Sequence, residues 1–497
     1  MKKIRKDTAG IKKTQVNRKL HYKKMAALAV AGVLVAGSTL TGCGKKNIDY
    51  NVDGGSGNGG SADSGSLQDK YGIPESCDMT LETGDSGLSK LAIEADEVSV
   101  PSTMDLPIVY AKKKEISNDA KKQLVESLLE KDKGIYAFDY DNMTKSDIQE
   151  QIDQYEKDYP KLLAYSEKYP STESLREMTK QGAIDIAPYR GYTVPNEASE
   201  WIIRCAKKED PRPLYLLMWG LLEDLAQALH DAPEIAPKLR VYYIGGPNKK
   251  WGPNAYEYIR QNFPDLWMIE NNSTYRGWFN GGIQNAPWGN ESFVSTFGAG
   301  HGAIGEYFAK HLGGVIKMGD TPSVAWLLRG TPEDPEKPSW GGQFERVGDI
   351  MRKTCFGHPT LEDTIEVFGT LEILLDGPEC NIDPDTPAFV MVEQGQEFNG
   401  YYLGNGHYGI RFVPKEVRDW HYVIHSAIPE LDGQSGAFRS VPENPQTRKS
   451  EAGNLTQWWS DVLDPAQAEG DHKGAKTVNC WRRDFLDDFA RRLERCL

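Results

Sequence analysis

Three short apolar segments, separated from one another by helical sequence, constrain the fold of this chain most strongly. They occupy residues 213–219, 239–244 and 266–270. Strands that are apolar along their whole length are typical of a parallel sheet with helices on both faces. The sequence therefore predicts an α/β fold over residues 143–350, with a mostly parallel sheet and flanking helices.

From about residue 360 the pattern of apolar and polar residues in the sequence changes. Segments that alternate between apolar and polar residues are separated by Gly, Pro and Asn, and they lie at 364–374, 388–392, 409–413 and 420–425. Short strands at regular spacing indicate a β-sandwich, which we expect at residues 360–430. Residues 431–497 then form a C-terminal extension, in which 479–496 predicts a terminal helix.

The N-terminus has the parts of an export signal. Basic residues are frequent up to residue 24, an uncharged and largely apolar run covers 25–42, and small residues precede Cys43. This order is typical of a secretory signal, and the apolar run is only at the lower edge of the length that spans a membrane. We assign residues 1–42 to the signal peptide. Residues 43–70, rich in Gly, Ser, Asn and Asp, predict a flexible tether.

The four residues 40–43 resemble the lipobox of bacterial lipoproteins. The resemblance implies cleavage before Cys43 and attachment of diacylglycerol to its thiol. The alternative is a plain signal peptide with an accidental cysteine. We expect a lipid-anchored protein on the extracytoplasmic face of the cell membrane.

The net charge of the chain limits the kinds of molecule that we expect it to bind. The whole chain has a formal net charge of −14, and removal of the basic signal leaves the mature protein more acidic still. Acidic proteins are poorly suited to nucleic acid or to anionic lipid headgroups. The sequence predicts no nucleic-acid partner and a membrane association through the lipid alone.

Residues 71–142 predict a small α+β segment. Residues 88–100 contain a strand-like alternation, and 134–138 predicts another strand. Between them, 117–130 has polar capping residues followed by apolar residues at helical spacing. No catalytic pattern falls in this segment.

A series of motifs from residue 148 to the end of the chain resembles, in order, one protein family. The motifs are at 210–220, 225–229, 238–242, 262–266, 318–323, 338–342, 431–438 and 474–478, the last with 481–482. The chain is similar here to the nucleoside-hydrolase-like family whose members are often labelled cellulose-binding and which carries a C-terminal β-sandwich. The resemblance implies a nucleoside-hydrolase-like fold and a hydrolase acting on glycosyl compounds.

The same resemblance implies a Ca²⁺ ion that orients the sugar hydroxyls and the attacking water. Calcium takes several oxygen ligands, mostly carboxylates, and parallel sheets bind ligands at the carboxyl ends of their strands. The family's late aspartate corresponds to Asp320, and its carbonyl ligand falls near Glu223. A turn in which Asp320 bonds its own backbone is the alternative.

The Asp-rich turn that supplies most calcium ligands in that family is missing from its expected place. Asp139 and Asp141, after the predicted strand 134–138, are the nearest imitation, but their spacing to a following aspartate pair differs. Turn and capping chemistry explain these carboxylates equally well. Without the turn, too few oxygens are left for tight Ca²⁺ binding. Either the first strand has been replaced and the site lost, or the chain retains only part of a hydrolase.

Polar and aromatic residues in the loops after predicted strands are the candidate site residues. They are His301 and Glu270 as catalytic residues, and Asn254, Asn271, Asn272, Trp288 and Trp340 as substrate-binding residues. Each has a structural alternative, namely loop hydrogen bonding for the polar residues and core packing for the tryptophans. The same alternatives, sugar stacking or packing, apply to the aromatic residues of the β-rich part: Phe398, Tyr401, Tyr402, Tyr408, Phe412, Trp420 and Tyr422.

Three functions follow from these patterns. The first is a membrane-anchored extracytoplasmic hydrolase of N-glycosyl or glycosidic bonds, used in carbohydrate or nucleoside scavenging. The second is a surface lipoprotein that binds a glycan without turnover. The third is a structural or interaction protein on an inactive scaffold. A glycan or a nucleoside is the expected small-molecule partner of the first two.

The lipobox predicts the effect of a single substitution. Cys43→Ser removes the thiol that carries the diacylglycerol, so labelled fatty acid should no longer enter the protein and cleavage before residue 43 should stop. Metabolic labelling with palmitate, together with mass spectrometry of the N-terminus, measures both effects. Ser56→Ala in the tether is the matched control and should keep the label. Label in the Cys43→Ser protein would contradict the assignment.

Overall fold

A computed structural model describes residues 79–83, 89–93, 99–100, 108–111, 145–311, 315–449 and 453–497. The chain forms two compact units, 1–141 and 142–497. Cys43, Asp139 and Asp141, with the predicted elements at 117–130 and 134–138, lie outside the described residues.

The described part of the first unit is one sheet in the order β1-β2-β4-β3. Its strands are β1 (Met79–Thr83), β2 (Ser89–Ile93), β3 (Ser99–Val100) and β4 (Ile108–Ala111). β2 and β4 run parallel, and the other pairs run antiparallel. The alternation over 88–100 thus corresponds to two strands rather than one.

The second unit contains two sheets and several helices. Its strands are β5 (Leu214–Met218), β6 (Leu239–Ile244), β7 (Met268–Asn271), β8 (Phe344–Val347), β9 (Arg352–Phe356), β10 (Thr364–Glu366), β11 (Thr370–Asp376), β12 (Pro387–Glu393), β13 (Gln396–Gly404), β14 (His407–Phe412), β15 (Asp419–Ser426), β16 (Ser435–Val441) and β17 (Trp458–Asp461). Its helices are α1 (Lys145–Tyr165), α2 (Thr172–Met178), α3 (Glu197–Ala206), α4 (Glu223–Asp231), α5 (Pro247–Trp251), α6 (Pro253–Asn262), α7 (Asn290–Phe293), α8 (Gly302–His311), α9 (Thr321–Leu328), α10 (Pro445–Arg448), α11 (Lys476–Asn479) and α12 (Arg482–Leu493).

Local sequence explains several helix boundaries. The Asn196 side chain accepts hydrogen bonds from the N–H groups of Ala198 and Ser199, and the Ser199 hydroxyl completes a capping box at the start of α3. Ser171 caps α2 in a similar way. No helix among the described residues has the length and apolar composition to cross a bilayer.

The first sheet of this unit has the order β5-β6-β7-β17-β8. β5, β6, β7 and β17 are parallel, and only β8 is antiparallel to its neighbour. Side chains of β6 alternate between two cores, with Val241 and Tyr243 in one and Tyr242 and Ile244 in the other. Both faces of the strand are buried, which is why it is apolar throughout. The predicted mostly parallel α/β fold is confirmed.

The strand β17 comes from the segment that the sequence assigns to a C-terminal extension. It pairs in parallel with β7 and antiparallel with β8, in the middle of the α/β sheet. Trp458 joins the core on one face and Trp459 the core on the other. The chain therefore leaves the α/β sheet after β8, builds the second sheet, and returns to complete the first.

The second sheet has eight strands in the order β10-β16-β15-β12-β13-β14-β11-β9. Phe412 of β14 lies 5.1 Å from Trp420 of β15 and 5.6 Å from Phe438 of β16, between ring centroids. β14 is not adjacent to either of those strands, so the sheet must fold over itself around one core. This architecture fits the predicted β-sandwich. The aromatic residues that the sequence offers for sugar stacking are buried here: Phe398, Tyr401, Tyr402, Tyr408, Phe412, Trp420 and Tyr422.

The C-terminal helix α12 is anchored by a buried arginine. Arg482 is fully buried, and its guanidinium donates to the carbonyls of Trp288 (2.8 Å) and Trp278 (2.7 Å) and to Asn290 Oδ1 (2.6 Å). Burial lowers the pKa of Arg482 to about 10. This one side chain thus connects α12 to the loops that follow β7.

Arg482→Ala should lower the free energy of unfolding by about 3–5 kcal/mol, because it removes three hydrogen bonds to buried or part-buried acceptors and opens a cavity. Urea denaturation followed by circular dichroism measures the change. The exposed Arg491 on the same helix, changed to Ala, is the control and should alter stability by no more than about 0.5 kcal/mol. Equal effects of the two substitutions would show that Arg482 does not anchor the helix.

Candidate functional site

The carboxyl ends of β5, β6, β7 and β17 meet at one edge of the α/β sheet. This is the edge where open α/β sheets bind ligands. The residues at this edge fall into two groups. We call the buried group around Glu270 the closed part and the accessible group around Trp219 and Asp320 the open part.

The closed part is centred on an ion pair. Lys249 Nζ lies 2.7 Å from Glu270 Oε1, and the two side chains are 0% and 1% exposed. Tyr256 donates to Glu270 Oε2 (2.7 Å), and Asn272 Nδ2 donates to Oε1 (2.8 Å). Lys249 also donates to the carbonyl of Phe368, in the β-sandwich (2.6 Å). Glu270, the catalytic candidate, is therefore fixed inside a structural network.

The side chains of the three candidate asparagines, Asn254, Asn271 and Asn272, also form hydrogen bonds inside the protein. Asn271 donates to Tyr242 Oη (2.9 Å) and accepts from the Tyr275 N–H (2.9 Å), whereas Asn272 Oδ1 accepts from the N–H of Gly246 (2.9 Å). All three are at most 5% exposed.

Asn254 lies in the same buried layer. Its Nδ2 donates to the carbonyl of Ala187 (3.1 Å), and its Oδ1 accepts from Arg411 of the β-sandwich (3.4 Å). Together with the other two, this asparagine holds loops in place, so its amide does not face an open site.

Asp461, at the end of β17, is a key residue of this edge that the sequence does not indicate. Its carboxylate accepts hydrogen bonds from the N–H groups of Asn272 (3.1 Å), Ser273 (3.2 Å) and Thr274 (2.8 Å). Burial raises the pKa of Asp461 to about 6. No local signal identifies it, because it lies almost two hundred positions from the loop that it holds.

Little space is left in the closed part. The cavity beside Glu270 and Asn272, walled on its far side by Phe368, Glu443 and Arg448, has a volume of about 10 Å³. That is about the room that one water needs. The closed part therefore has no room for a sugar.

The open part contains an exposed tryptophan in a fixed position. Trp219 directly follows β5 and is 52% exposed. Its Nε1 donates to Ser323 Oγ (2.8 Å), and that hydroxyl donates to the carbonyl of Asp320 (2.7 Å). The ring is thus held in one orientation with much of its face in solvent. The sequence places Trp219 at a strand end, but only the tertiary structure shows that its ring is uncovered.

Asp320 stands at the start of α9 without capping it. Burial raises the pKa of Asp320 to about 6. Three basic residues share this region: Arg276, Lys317 and His472. Burial, with the charge of Arg276 added, lowers the pKa of Lys317 to about 8 and that of His472 to about 4. The open part thus offers N–H donors beside one carboxyl group.

Two contacts with the loop after β7 bring the segments of the open part together. A Cβ on Gly319 would lie 3.3 Å from the ring of Tyr275, so the segment with Lys317 and Asp320 packs on the loop after β7. Thr274 Oγ1 donates to the carbonyl of Lys473 (3.3 Å), which brings the segment of His472 to the same loop.

The remaining candidates lie elsewhere. Trp288 Nε1 donates to Asp487 (2.7 Å), and Arg483 covers its ring. Trp340 packs against the same core. His301 lies 3.1 Å from the Ala299 carbonyl, in the turn before α8, a helix that packs on α1 rather than on the strand ends.

The described residues do not fit a calcium ion. Among them, no three His, Cys, Asp or Glu side chains gather closely enough to hold a metal. Glu223 is the first residue of α4, where its carbonyl is directed along the helix to the N–H of Gln227. In the part of the chain that the structure describes, Asp320 is thus left without the further carboxylates that a calcium ion needs.

The side chain of Glu223 is itself unusual. It is buried, its Oε1 accepts from the N–H of Ala187 (3.3 Å), and its Oε2 has no partner among the described residues. Burial raises the pKa of Glu223 to about 7. The folded state therefore holds this proton more tightly than the unfolded chain does.

Glu223 predicts a pH dependence of stability. Because its folded pKa is raised, its contribution is lost as the pH rises from about 4.5 to about 7. Glu223→Gln removes that loss, so the variant should gain about 2–3 kcal/mol relative to the wild type between pH 5 and pH 8. Urea unfolding at both pH values measures it. The exposed Glu291, changed to Gln, is the control, and an equal shift in that variant would rule out the burial effect.

Two family models match the chain. Residues 118–344 match the family described as "Cellulose-binding Sde182, nucleoside hydrolase-like domain". Residues 364–427, within the β-sandwich, match a domain of unknown function, DUF5060. No curated protein matches the chain.

Solved structures give weaker likenesses. A nucleoside hydrolase-related hypothetical protein from Saccharophagus degradans, associated with carbohydrate metabolism, is 15% identical, with 60% of this chain and 89% of that chain covered and a TM-score of 0.34. A protein from Bacteroides vulgatus ATCC 8482, provisionally described as a glycoside hydrolase, is 24% identical over 17% of each chain, with a TM-score of 0.14.

The family match covers β5, β6, β7 and the segments that carry Trp219, Arg276 and Asp320, and it agrees with the motifs in the sequence. The predicted family is thereby confirmed: residues 118–344 of this chain belong to the nucleoside-hydrolase-like domain of the cellulose-binding Sde182 family.

Proposed function

We propose that this chain binds a carbohydrate at the open part of its strand-end edge and does not cleave it. The observation that carries the proposal is the ring of Trp219, which is half exposed and oriented by its bond to Ser323. An exposed aromatic ring with polar side chains beside it suits a sugar ring. The sugar stacks on the aromatic face through its C–H groups and forms hydrogen bonds through its hydroxyls. Arg276 and Lys317 supply donors for those hydroxyls.

The closed part supports binding rather than turnover. Glu270 is neutralised by Lys249 and saturated by hydrogen bonds. A catalytic carboxylate must reach the substrate, and the cavity of about 10 Å³ beside Glu270 prevents that. The groups that lie where a hydrolase would work therefore stabilise the fold.

The family description supports a carbohydrate ligand, because it names cellulose binding. Lipid on Cys43 is also part of the proposal, and it rests on the sequence motif alone. It would hold the binding site outside the cytoplasm at the end of a tether, where polymeric glycans and their fragments are met. The N-terminal lipid and the strand-end site together describe a glycan-binding surface protein.

Asp320 favours a second candidate function, the hydrolysis of N-glycosyl or glycosidic bonds. It lies in the open part with intermediate exposure, and burial raises its pKa to about 6, near the value suited to a general acid at neutral pH. In that role Asp320 would donate its proton to the leaving group. Release of product from cellohexaose or a nucleoside, abolished by Asp320→Asn, would establish this function in place of binding alone.

Trp219→Ala should weaken binding of cellohexaose at the strand-end site about tenfold, which corresponds to about 1.4 kcal/mol of stacking energy. Isothermal titration calorimetry on the full-length protein in detergent measures it. Trp288→Phe, at a tryptophan whose ring is covered, is the matched control and should leave affinity unchanged. If Trp219→Ala binds as the wild type does, the strand-end site is not the carbohydrate site.

A further inference from the structure

The β-sandwich carries two adjacent cavities, each with a volume of about 740 Å³. This volume is within the range of small-molecule sites. His358 lies in the wall of both cavities, 2.9 Å from Tyr422 Oη through Nδ1 and 2.5 Å from Gln434 Oε1 through Nε2. We call the pair of cavities the sandwich groove. It is far larger than the space left in the closed part of the strand-end edge.

An exposed phenylalanine lies in the groove. Phe356, the last residue of β9, is 87% exposed, more than any other large hydrophobic residue among those described. Gly357 follows with a φ of +86°, and no atom lies within 4 Å of a Cβ built there, so the backbone turns away and leaves the ring open. Leu403, on β13, is 39% exposed and lines the same cavity.

Packing does not explain why Phe356 is aromatic. Most large apolar residues of this sheet point into one core, whereas this ring points to solvent beside a cavity. Exposed apolar groups beside a concave surface mark binding sites more often than isolated ones do. The ring therefore has the position of a platform for a ligand.

Polar groups surround the ring. Asp376 and His407 form a pair at the cavity edge, with Oδ1 and Nδ1 2.8 Å apart, and both are exposed. Asn405 lies at the tip of the β13–β14 hairpin in the same wall, and Gln434, also in this wall, is hydrogen-bonded to His358. These groups include hydrogen-bond donors and acceptors and no lysine or arginine, which suits the hydroxyls of a neutral sugar rather than an anionic ligand.

The second cavity extends the first on the other side of His358. It is lined by Thr360, Gln394 and His421, with Val423 partly exposed at its edge. A ligand with repeating units can occupy both cavities, whereas a single sugar ring occupies one. The arrangement thus favours a chain over a monosaccharide.

We infer that the sandwich groove is a second carbohydrate site, which takes a linear neutral oligosaccharide with one sugar ring stacked on Phe356. This site lies on the β-sandwich and does not depend on the strand-end site proposed above. Its presence would give one chain two points of attachment to the same polymer, so that binding to long glycans would be tighter than to short ones.

Calorimetry with cellohexaose on the full-length protein in detergent tests the inference. The wild type should show two sites per chain. Phe356→Ala should weaken one of them about tenfold, whereas Phe356→Tyr, which keeps the ring, should bind as the wild type does. Tyr165→Ala, at an exposed aromatic residue on α1, is the control and should have no effect. Circular dichroism should show that all three variants are folded.

The two sites are distinguished by combining variants. In a Trp219→Ala background the sandwich groove should be the tighter of the two sites, and adding Phe356→Ala should weaken binding there too. Unchanged binding by Phe356→Ala, or no binding by the wild type, would overturn the inference. If only Trp219→Ala is without effect, the strand-end proposal fails and the sandwich groove stands.

Discussion

The buried ion pair of Lys249 and Glu270 is the interaction on which the rest of the structure depends. It lies at the strand ends and connects α5 to β7, and through the Phe368 carbonyl it connects both to the β-sandwich. Removing one partner of such a pair leaves a buried charge without compensation, which costs about 3–5 kcal/mol. Because Tyr256 and Asn272 complete the bonds of Glu270, the whole edge is fixed in a single arrangement.

This arrangement fills the place where open α/β sheets usually bind ligands. The centre of the strand-end edge is filled by protein, so a ligand can reach only its margin or the outside of the β-sandwich. One exposed ring is found at each of those places, Trp219 after β5 and Phe356 at the end of β9. The hydrogen bonds and ion pair that fill the centre of this edge also fix the loops around it, and Trp219 is held in one orientation by its bond to Ser323.

Much of the fold could be predicted from the sequence because local patterns determine it. The apolar runs at β5, β6 and β7 must be covered on both faces, and the alternating segments after residue 360 must fold around one core. The strand β17 could not be predicted, since four residues carry no periodicity and its pairing with β7 depends on the return of a distant segment. The role of Asp461 depends on the same return.

The candidate site, like the fold, could be predicted from the sequence only in part. The sequence alone determined the residue types at the strand ends, the family and the lipobox-like pattern at residues 40–43, because these are encoded in contiguous residues. Only the tertiary structure decided which polar side chains form hydrogen bonds inside the protein and which aromatic rings are exposed to solvent. Asn271 and Trp288 are as suitable by type as Trp219, but burial and hydrogen bonding are properties of packing between distant segments, which no local pattern records.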